Sequence, residues 1–475
     1  MKKEEDYFKF IGNIKDSISP DIISEISPIY LSEPRGLYRN QSLHIIKPRS
    51  TKEVSDCLKL ATKYKICIVP WSGGTGLVGG QIALDKYHVT LSLERMNKIN
   101  SFSEFNQSIE VEAGVILQSI HEFVGTKNFF FPLSMASKGS CRIGGNLATN
   151  AGGVGVLKYG NARDLCLGLE VVLADGSIIN DIKTLKKDNT GYDLKNLFIG
   201  SEGSLGIITR AVLRLFPTPK SRIVTFFGAP NFKSALESYM QISKRFGQYL
   251  QAFELIGDEG LKFLEETNMN QSATQKIKLP WYVLMELGFN SNSVEQELHD
   301  ALDDLYNRNV ILDVILGDTE SKAEKLWKIR EDIPEANKKI GAISSHDISL
   351  PLENMEIFIN KSLIEIKKIN RSLRVNCFGH MGDGNLHFNV FPPQKETNSS
   401  YMDLKPKLTE IINTNCKSLE GSISAEHGVG RMKVKDLKQY CDPGKFYVMH
   451  QIKKAIDPLS LLNPGVILRQ DTQDI

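Results

Sequence analysis

The chain has 475 residues, 41% hydrophobic and 24% charged, which gives it room for two or three domains and the composition of an ordinary globular protein. Its 58 Lys and Arg nearly cancel 56 Asp and Glu, and no basic patch stands out, so nothing supports a nucleic-acid partner. No apolar run approaches the roughly 20 residues that span a bilayer, and no transmembrane segment is expected.

Residues 1–40 are expected to form a helical leader. The acids Glu4, Glu5, Asp6, Asp16 and Asp21 among its lysines fit neither a transit peptide nor a secretory signal. The expected location is the cytoplasm, with attachment to the periphery of the inner membrane left open. Residues 43–47 read as an extended piece stopped by Pro48. Ser50-Thr51-Lys52-Glu53 is a capping-box pattern that starts a helix, and Val54, Leu58 and Ala61 give that helix an apolar stripe. Short strands are expected at 66–69, 89–93, 109–113 and 169–174, the last followed by the hairpin-turn pair Asp175-Gly176. From about Arg222 the glycines thin out, and strands at 223–228 and 281–287 alternate with Lys/Glu-rich helical stretches. That is an α+β pattern, with a boundary near Pro217 and Pro219. Glycine-rich sequence returns at 377–389 and 422–430, and a last helix ends near Asp457-Pro458. The seven cysteines are scattered without a C-x-x-C pair and read as free thiols in a reducing compartment, so no iron–sulfur cluster is expected in this chain.

Gly74-Thr75-Gly76-Leu77-Val78-Gly79 matches the dinucleotide fingerprint G-x-G-x-x-G, and Glu94 ends the next strand where a ribose-binding acid would be expected. The fingerprint requires its glycines to open a helix inside a βαβ unit. Between Gly80 and Val89 there is no room for a crossover of ten or more residues, so the nicotinamide reading is set aside. The alternative is a loop of Pro70, Ser72, Gly73, Gly74, Thr75, Gly76 and Leu77 that wraps a pyrophosphate with its backbone N–H groups. Alone, this loop could equally be a structural turn. Two more runs accompany it: Ser140, Ile143, Gly144, Gly145 and Asn146 continuing to Asn150, Gly152 and Gly153, and then Glu202, Gly203, Gly206, Ile207 and Ile208. Three glycine-rich segments beside strand-like sequence suggest loops converging on one long ligand.

With Leu157-Lys158-Tyr159-Gly160-Asn161-Ala162-Arg163-Asp164, Thr190-Gly191-Tyr192-Asp193-Leu194 and Asn463-Pro464-Gly465, these segments resemble the FAD domain of the vanillyl-alcohol oxidase / p-cresol methylhydroxylase superfamily. Within it, the D-lactate, glycolate and D-2-hydroxyglutarate dehydrogenases are the most similar branch, over about 43–468. The resemblance implies an α+β fold with a two-subdomain FAD-binding domain at 41–219 and an inserted antiparallel-sheet substrate domain at 220–420. A C-terminal segment at 421–475 would return to the flavin. It also implies that FAD is held by the glycine-rich loops and Asn463.

A second motif is Phe378-Gly379-His380-Met381-Gly382-Asp383-Gly384-Asn385-Leu386-His387-Phe388-Asn389. Leu386, Phe388 and Val390 alternate with His387 and Asn389, so in a strand the polar pair shares a face. Gly382-Asp383-Gly384 is a tight-turn sequence that could fold His380 back toward His387. Two imidazoles with Glu426 as third ligand suit Zn²⁺, with Mn²⁺ as the other candidate, and leave open positions for a substrate. A bland alternative is that the histidines are satisfied turn or core residues. The resemblance implies that His380, His387 and Glu426 hold a metal and that His427 is the catalytic base.

The implied chemistry is oxidation of a small D-2-hydroxy acid to its 2-oxo acid, with hydride passing to the flavin. Arg330 would clamp the substrate carboxylate and Asn389 would add a hydrogen bond; on spacing alone, Arg330 could equally be a helix-surface arginine. Relatives that accept D-2-hydroxyglutarate carry a Thr and a Lys where this chain has Pro334 and Ser345, which favours D-lactate or glycolate unless His346 or another residue substitutes. D-2-hydroxyglutarate oxidation remains the alternative, as do a non-catalytic flavin subunit of an electron-transfer complex and a metal-dependent hydrolase. The electron acceptor could be a quinone, an electron-transfer flavoprotein, a cytochrome or an iron–sulfur subunit. A homodimer is among the assemblies expected.

Overall fold

The computed structural model describes residues 2–269 and 278–469. Met1 of the expected leader and residues 470–475 of the expected C-terminal segment lie outside them. The chain divides into two compact units: residues 1–152, 160–218 and 426–475 form the first, and residues 153–159 and 219–425 the second.

The first unit holds two main sheets. The smaller has the strand order Ile23–Glu25, His44–Ile46, Val89–Ser92, Ile68–Trp71. The larger is antiparallel throughout, in the order Ile99–Ser103, Ser108–Glu112, Ile207–Arg214, Cys166–Val172, Ile178–Asp181. The capping box forms as expected: Ser50 accepts from the Glu53 amide at 3.2 Å, and Glu53 reaches back to the Arg49 amide at 2.7 Å. The helix it starts, Thr51–Tyr64, buries Val54, Leu58 and Ala61 and fastens to the larger sheet, where the Ser55 and Thr62 hydroxyls donate to the carbonyls of Gly176 and Ala174. Asp175-Gly176 makes the expected hairpin, with Gly176 at φ +82°, a left-handed conformation that glycine adopts without cost.

Two expectations need correction. The leader is helical only over Lys2–Ser17; beyond it, Pro20 and Pro28, which cannot donate a helical N–H, open short 3₁₀ turns around the strand Ile23–Glu25. The strands Ile68–Trp71 and Val89–Ser92 are parallel neighbours, although no room for a crossover was expected between them. The crossing starts at Ser72, just after the first strand, and runs as an irregular loop over 72–88 without a helix. The fingerprint therefore fails for lack of its helix, not for lack of length.

The C-terminal segment is stitched into the same unit. Leu462 bridges in parallel to Ile68, the Asn463 amide donates to the Ile68 carbonyl at 2.8 Å, and Lys453 Nζ donates to the carbonyls of Ser204 and Leu462 at 2.7 and 2.9 Å.

The second unit is built on one seven-stranded antiparallel sheet, in the order Leu312–Gly317, Ser221–Ala229, Trp281–Phe289, Leu250–Gly257, Arg374–His380, Asn385–Phe391, Ser344–Ser349. Strand alternation serves two cores. Val283, Met285 and Leu287 face a cluster with the helices Phe232–Phe246 and Leu352–Ile369, while Tyr282 and Leu284 face another with Asp258–Glu266 and Glu320–Ile340. Among the described residues no helix is long and apolar enough to cross a membrane.

Candidate functional site

In the first unit the glycine-rich runs meet. The Gly145 amide donates to Ser72 Oγ at 3.0 Å. A Cβ on Gly73 would stand 2.4 Å from the Ser140 carbonyl oxygen, and one on Gly203 would stand 2.4 Å from Pro70 Cγ. The third run is tied to the second by the Glu202 amide, which donates to the Ala148 carbonyl at 2.8 Å, and Asn463 Nδ2 donates to the Glu202 carbonyl at 2.8 Å. Pro70, Ser72, Gly73, Ser140, Gly145, Gly203, Glu202 and Asn463 thus lie in one connected set of contacts.

Other expected cofactor residues are placed differently. Asn150 Oδ1 accepts from the Arg163 amide at 3.0 Å, so this side chain serves the loop it sits in. Ile207 and Ile208 are buried strand residues paired with Val172 and Val171 and can offer a ligand only backbone. Gly153 is counted with the second unit. Gly74, Thr75, Gly76 and Leu77 form the loop after Trp71, which Gln81 braces by donating to the Gly76 carbonyl at 2.9 Å.

These residues suit a flavin dinucleotide. The loops approach one another as closely as glycine alone allows, and the buried atoms Asn146 Oδ1 and Asn463 Oδ1 have no hydrogen-bond partner among the described residues, as expected of groups that meet a polar ligand. Glu202 accepts from the amides of Val429 and Gly430 at 2.7 and 2.8 Å; burial nonetheless pushes its carboxyl up to about 7, against those two donors and Lys433.

In the second unit the turn forms as expected. The strand Arg374–His380 leads through Met381–Asp383 into Asn385–Phe391, with Gly384 at φ +78° where a Cβ would stand 2.2 Å from the Leu350 carbonyl oxygen. The His380 and His387 ring centroids are 5.7 Å apart. Leu386, Phe388 and Val390 are fully buried in the core, while His387 and Asn389 share the opposite face with Ser345 and Asp347, their partners across the strand Ser344–Ser349. Asp347 Oδ1 lies 3.7 Å from His387 Nδ1 and accepts from Asn385 Nδ2 at 2.9 Å.

Arg330, on the helix Glu320–Ile340, is only 7% exposed, which rules out the surface-arginine alternative. Its guanidinium lies 4.7 Å from the Phe378 ring centroid, and its Nε donates to Glu254 Oε2 at 2.9 Å. Pro334 lies inside that helix and lacks the N–H that would have bonded the Arg330 carbonyl. Asn389 Oδ1 accepts from the His346 amide at 3.3 Å. The His346 side chain, however, alternates onto the face of Ser344, away from Asn389. Glu426 and His427 open the last stretch of the first unit.

Residues 218–467 match the C-terminal domain of FAD linked oxidases, and residues 42–181 match an FAD binding domain. The chain belongs to the FAD-linked oxidase family. This FAD-linked oxidase is 36% identical over 437 residues to a putative mitochondrial D-lactate dehydrogenase of Schizosaccharomyces pombe, covering 90% of this chain and 82% of the relative. It is 36% identical to the mitochondrial D-2-hydroxyglutarate dehydrogenase of Rattus norvegicus, covering 90% and 78%. To the D-2-hydroxyglutarate dehydrogenase of Xanthomonas citri pv. viticola it is 33% identical, covering 89% and 88%. Its fold is that of p-cresol methylhydroxylase, with a TM-score of 0.75 at 15% identity over 98% of this chain and 97% of that one. The superfamily and α+β architecture expected from the motifs therefore hold, and the chain is a flavin-linked oxidoreductase.

Sequence reasoning missed two groups in this FAD-linked oxidase. Glu254, 1% exposed, uses both carboxylate oxygens: Oε2 takes Arg330, and Oε1 pairs with His380 Nδ1 at 2.7 Å. Burial would raise its carboxyl, but the neighbouring His380 and Arg330, with the hydrogen bonds they make to it, outweigh that and hold it below the usual carboxylate range. Asp347, 2% exposed, is the other. The available signal was a lone acid inside an apolar strand, as in Ala252-Phe253-Glu254-Leu255-Ile256, since an acid there must be paired or neutral.

Proposed function

We propose that this flavoprotein oxidises a small D-2-hydroxy acid to the 2-oxo acid, with the Cα hydrogen leaving as hydride to FAD. The observation that carries the reading is the buried Arg330, held beside His380 on the face that also carries His387 and Asn389. A buried guanidinium suits a small carboxylate, which it can bind bidentately. In this reading His380, His387 and Glu426 hold a divalent cation, Zn²⁺ or Mn²⁺. The donor set fits: two imidazoles and a carboxylate are ordinary ligands for either, and the chain carries Glu426 directly after Ala425, whose amide donates to the Asp347 carbonyl at 3.3 Å. Such a cation lowers the pKa of a coordinated α-hydroxyl. His427 then takes the hydroxyl proton, Arg330 holds the carboxylate and Asn389 adds a hydrogen bond.

The FAD ligands are proposed to be the contact set of the first unit, from Pro70 and Ser72 to Asn463, acting chiefly through backbone N–H groups. The proposed division of labour is FAD binding at 41–219, substrate binding at 220–420, and completion of the site by 421–475.

D-lactate or glycolate is favoured, because Pro334 and Ser345 offer no cation to a second carboxylate and an unpaired one is costly to bury. D-2-hydroxyglutarate is the second reading, supported by relatives of that name at 33–37% identity. Electrons would leave to a separate acceptor.

The test is an anaerobic visible spectrum of the purified protein before and after D-lactate, glycolate or D-2-hydroxyglutarate, repeated after chelator treatment. Bleaching by one acid, blocked by the chelator, supports the reading and names the substrate. A yellow protein that none of the three bleaches refutes the three named substrates and favours a carrier subunit or an untested substrate, and a colourless protein that takes up no added FAD favours a hydrolase.

A further inference from the structure

We propose that Glu254 is a positioning residue that sets the substrate-binding arginine and the metal-binding histidine in register with each other. The inference rests on the function proposed above and adds to it a residue that sits behind both groups.

The register explains the arrangement. Glu254 and His380 are directly opposed partners of antiparallel neighbouring strands, so their side chains rise from the same face of the sheet. Phe378, two residues before His380, shares that face and carries the Arg330 guanidinium. Glu254 is therefore fixed by the sheet, while Arg330 arrives from a helix packed over it. One carboxylate oxygen takes each group, at 2.7 Å from His380 Nδ1 and 2.9 Å from Arg330 Nε.

Each contact selects one state of its partner. A carboxylate at Nδ1 keeps the proton there, which makes Nε2 the lone-pair nitrogen that can coordinate a cation. A carboxylate behind a metal-binding histidine commonly fixes both its tautomer and its ring orientation. On the other oxygen, the Arg330 bond uses Nε, so the two terminal nitrogens remain as a forked pair for a carboxylate. Among the described residues this is the one hydrogen bond of the Arg330 guanidinium. A 2-hydroxy acid needs its carboxylate and its hydroxyl received at a fixed separation, and one rigid side chain that holds both receivers supplies that separation.

Glu254→Gln separates this role from simple core filling. The amide has nearly the same shape but one accepting oxygen, so it cannot receive both the Arg330 Nε–H and the His380 Nδ1–H. We expect Zn²⁺ affinity, read by competition with a chromogenic chelator, to fall about 10- to 100-fold while the flavin spectrum is unchanged. Binding of oxalate to the metal-free protein, which reports on Arg330, should weaken about tenfold. Zn²⁺ and oxalate affinities within twofold of wild type would overturn the proposal and leave the proposed function standing. A wild-type protein that binds neither Zn²⁺ nor Mn²⁺ would instead defeat the metal reading, and the proposal with it.

If the variant fails to fold or to retain flavin, ¹⁵N NMR of the histidines in the wild-type protein decides, with His380→Gln assigning the signal. An Nδ1-protonated His380 supports the proposal, and an Nε2-protonated one refutes it.

Discussion

Replacing Gly73 by alanine tests whether the glycine-rich loops form a cradle or are ordinary turns. The added Cβ would stand 2.4 Å from the Ser140 carbonyl oxygen, 2.7 Å from Cys141 Cα and 3.2 Å from the Arg142 amide nitrogen. All three are backbone atoms, so no side chain can rotate away. An ordinary carbon–oxygen contact needs roughly another 0.8 Å, and the two loops must part by about that much. Overpacking of this kind costs about 1–3 kcal/mol. If the loops close against each other only when FAD is bound, the dissociation constant rises about 5- to 150-fold, since each 1.4 kcal/mol is a factor of ten. If they are already closed without it, the same cost appears as a lower Tm of the flavin-free protein. Titrating flavin-free protein with FAD, alongside thermal melts, reads both. Gly125→Ala is the control, because nothing lies within 4 Å of its added Cβ. If Gly73→Ala matches wild type in both FAD affinity and Tm, the loops are not closed against each other and the cradle reading fails.

Other expectations follow from single contacts. Glu202 has its folded pKa raised to about 7 from an ordinary value near 4.5, so its contribution to stability is fully present below about pH 4.5 and is lost as pH rises to about 7. The change is about 3 kcal/mol, so Glu202→Gln should gain on wild type in urea unfolding between pH 5 and pH 8; a gap independent of pH refutes the assignment. Arg330→Lys keeps the charge but not the fork, and should lower kcat/KM by about 2–3 kcal/mol, on the order of 30- to 150-fold; steady-state kinetics with the acid that bleaches the flavin would show it, and an unchanged value removes Arg330 from the substrate site. Gly12 lies in the helix Lys2–Ser17 with open space around it, so Gly12→Ala should stabilise by about 0.5–1 kcal/mol with no effect on flavin binding, and a lower Tm would refute this.

Local signals with one physical cause were legible in the sequence. The capping box at Ser50, the hairpin at Asp175-Gly176 and the alternation through Leu386–Val390 each depend on residues a few places apart, and each formed as read. The approach of His380 to His387 was legible because a glycine turn separates them by only a few residues. Contacts across long stretches of chain were not. Glu254 meets His380 through strand pairing 126 residues away, and Arg330 through helix packing, and neither leaves a spacing to count. The parallel pairing of Ile68–Trp71 with Val89–Ser92 was missed for a different reason, since its crossing is a loop where parallel strands usually use a helix. In the leader, Pro20 and Pro28 were the visible sign that the helix must stop, and they outweighed the helical look of the first turns.

The stitching of Leu462 and Asn463 to Ile68 has a consequence for how the protein is made. On the ribosome, residues 219–425 emerge as one continuous stretch, and nearly the whole second unit can fold as soon as it is out. The first unit is interrupted: it begins at the N-terminus but lacks the Leu462 bridge and the Asn463 and Lys453 bonds until roughly 240 further residues have been translated, on the order of 12–50 s at usual rates. The later-encoded unit therefore matures first, and the strand Ile68–Trp71 waits through that interval with an uncovered edge. During that interval the nascent chain is most exposed to chaperones and to mispairing, and a stall in translation would lengthen it.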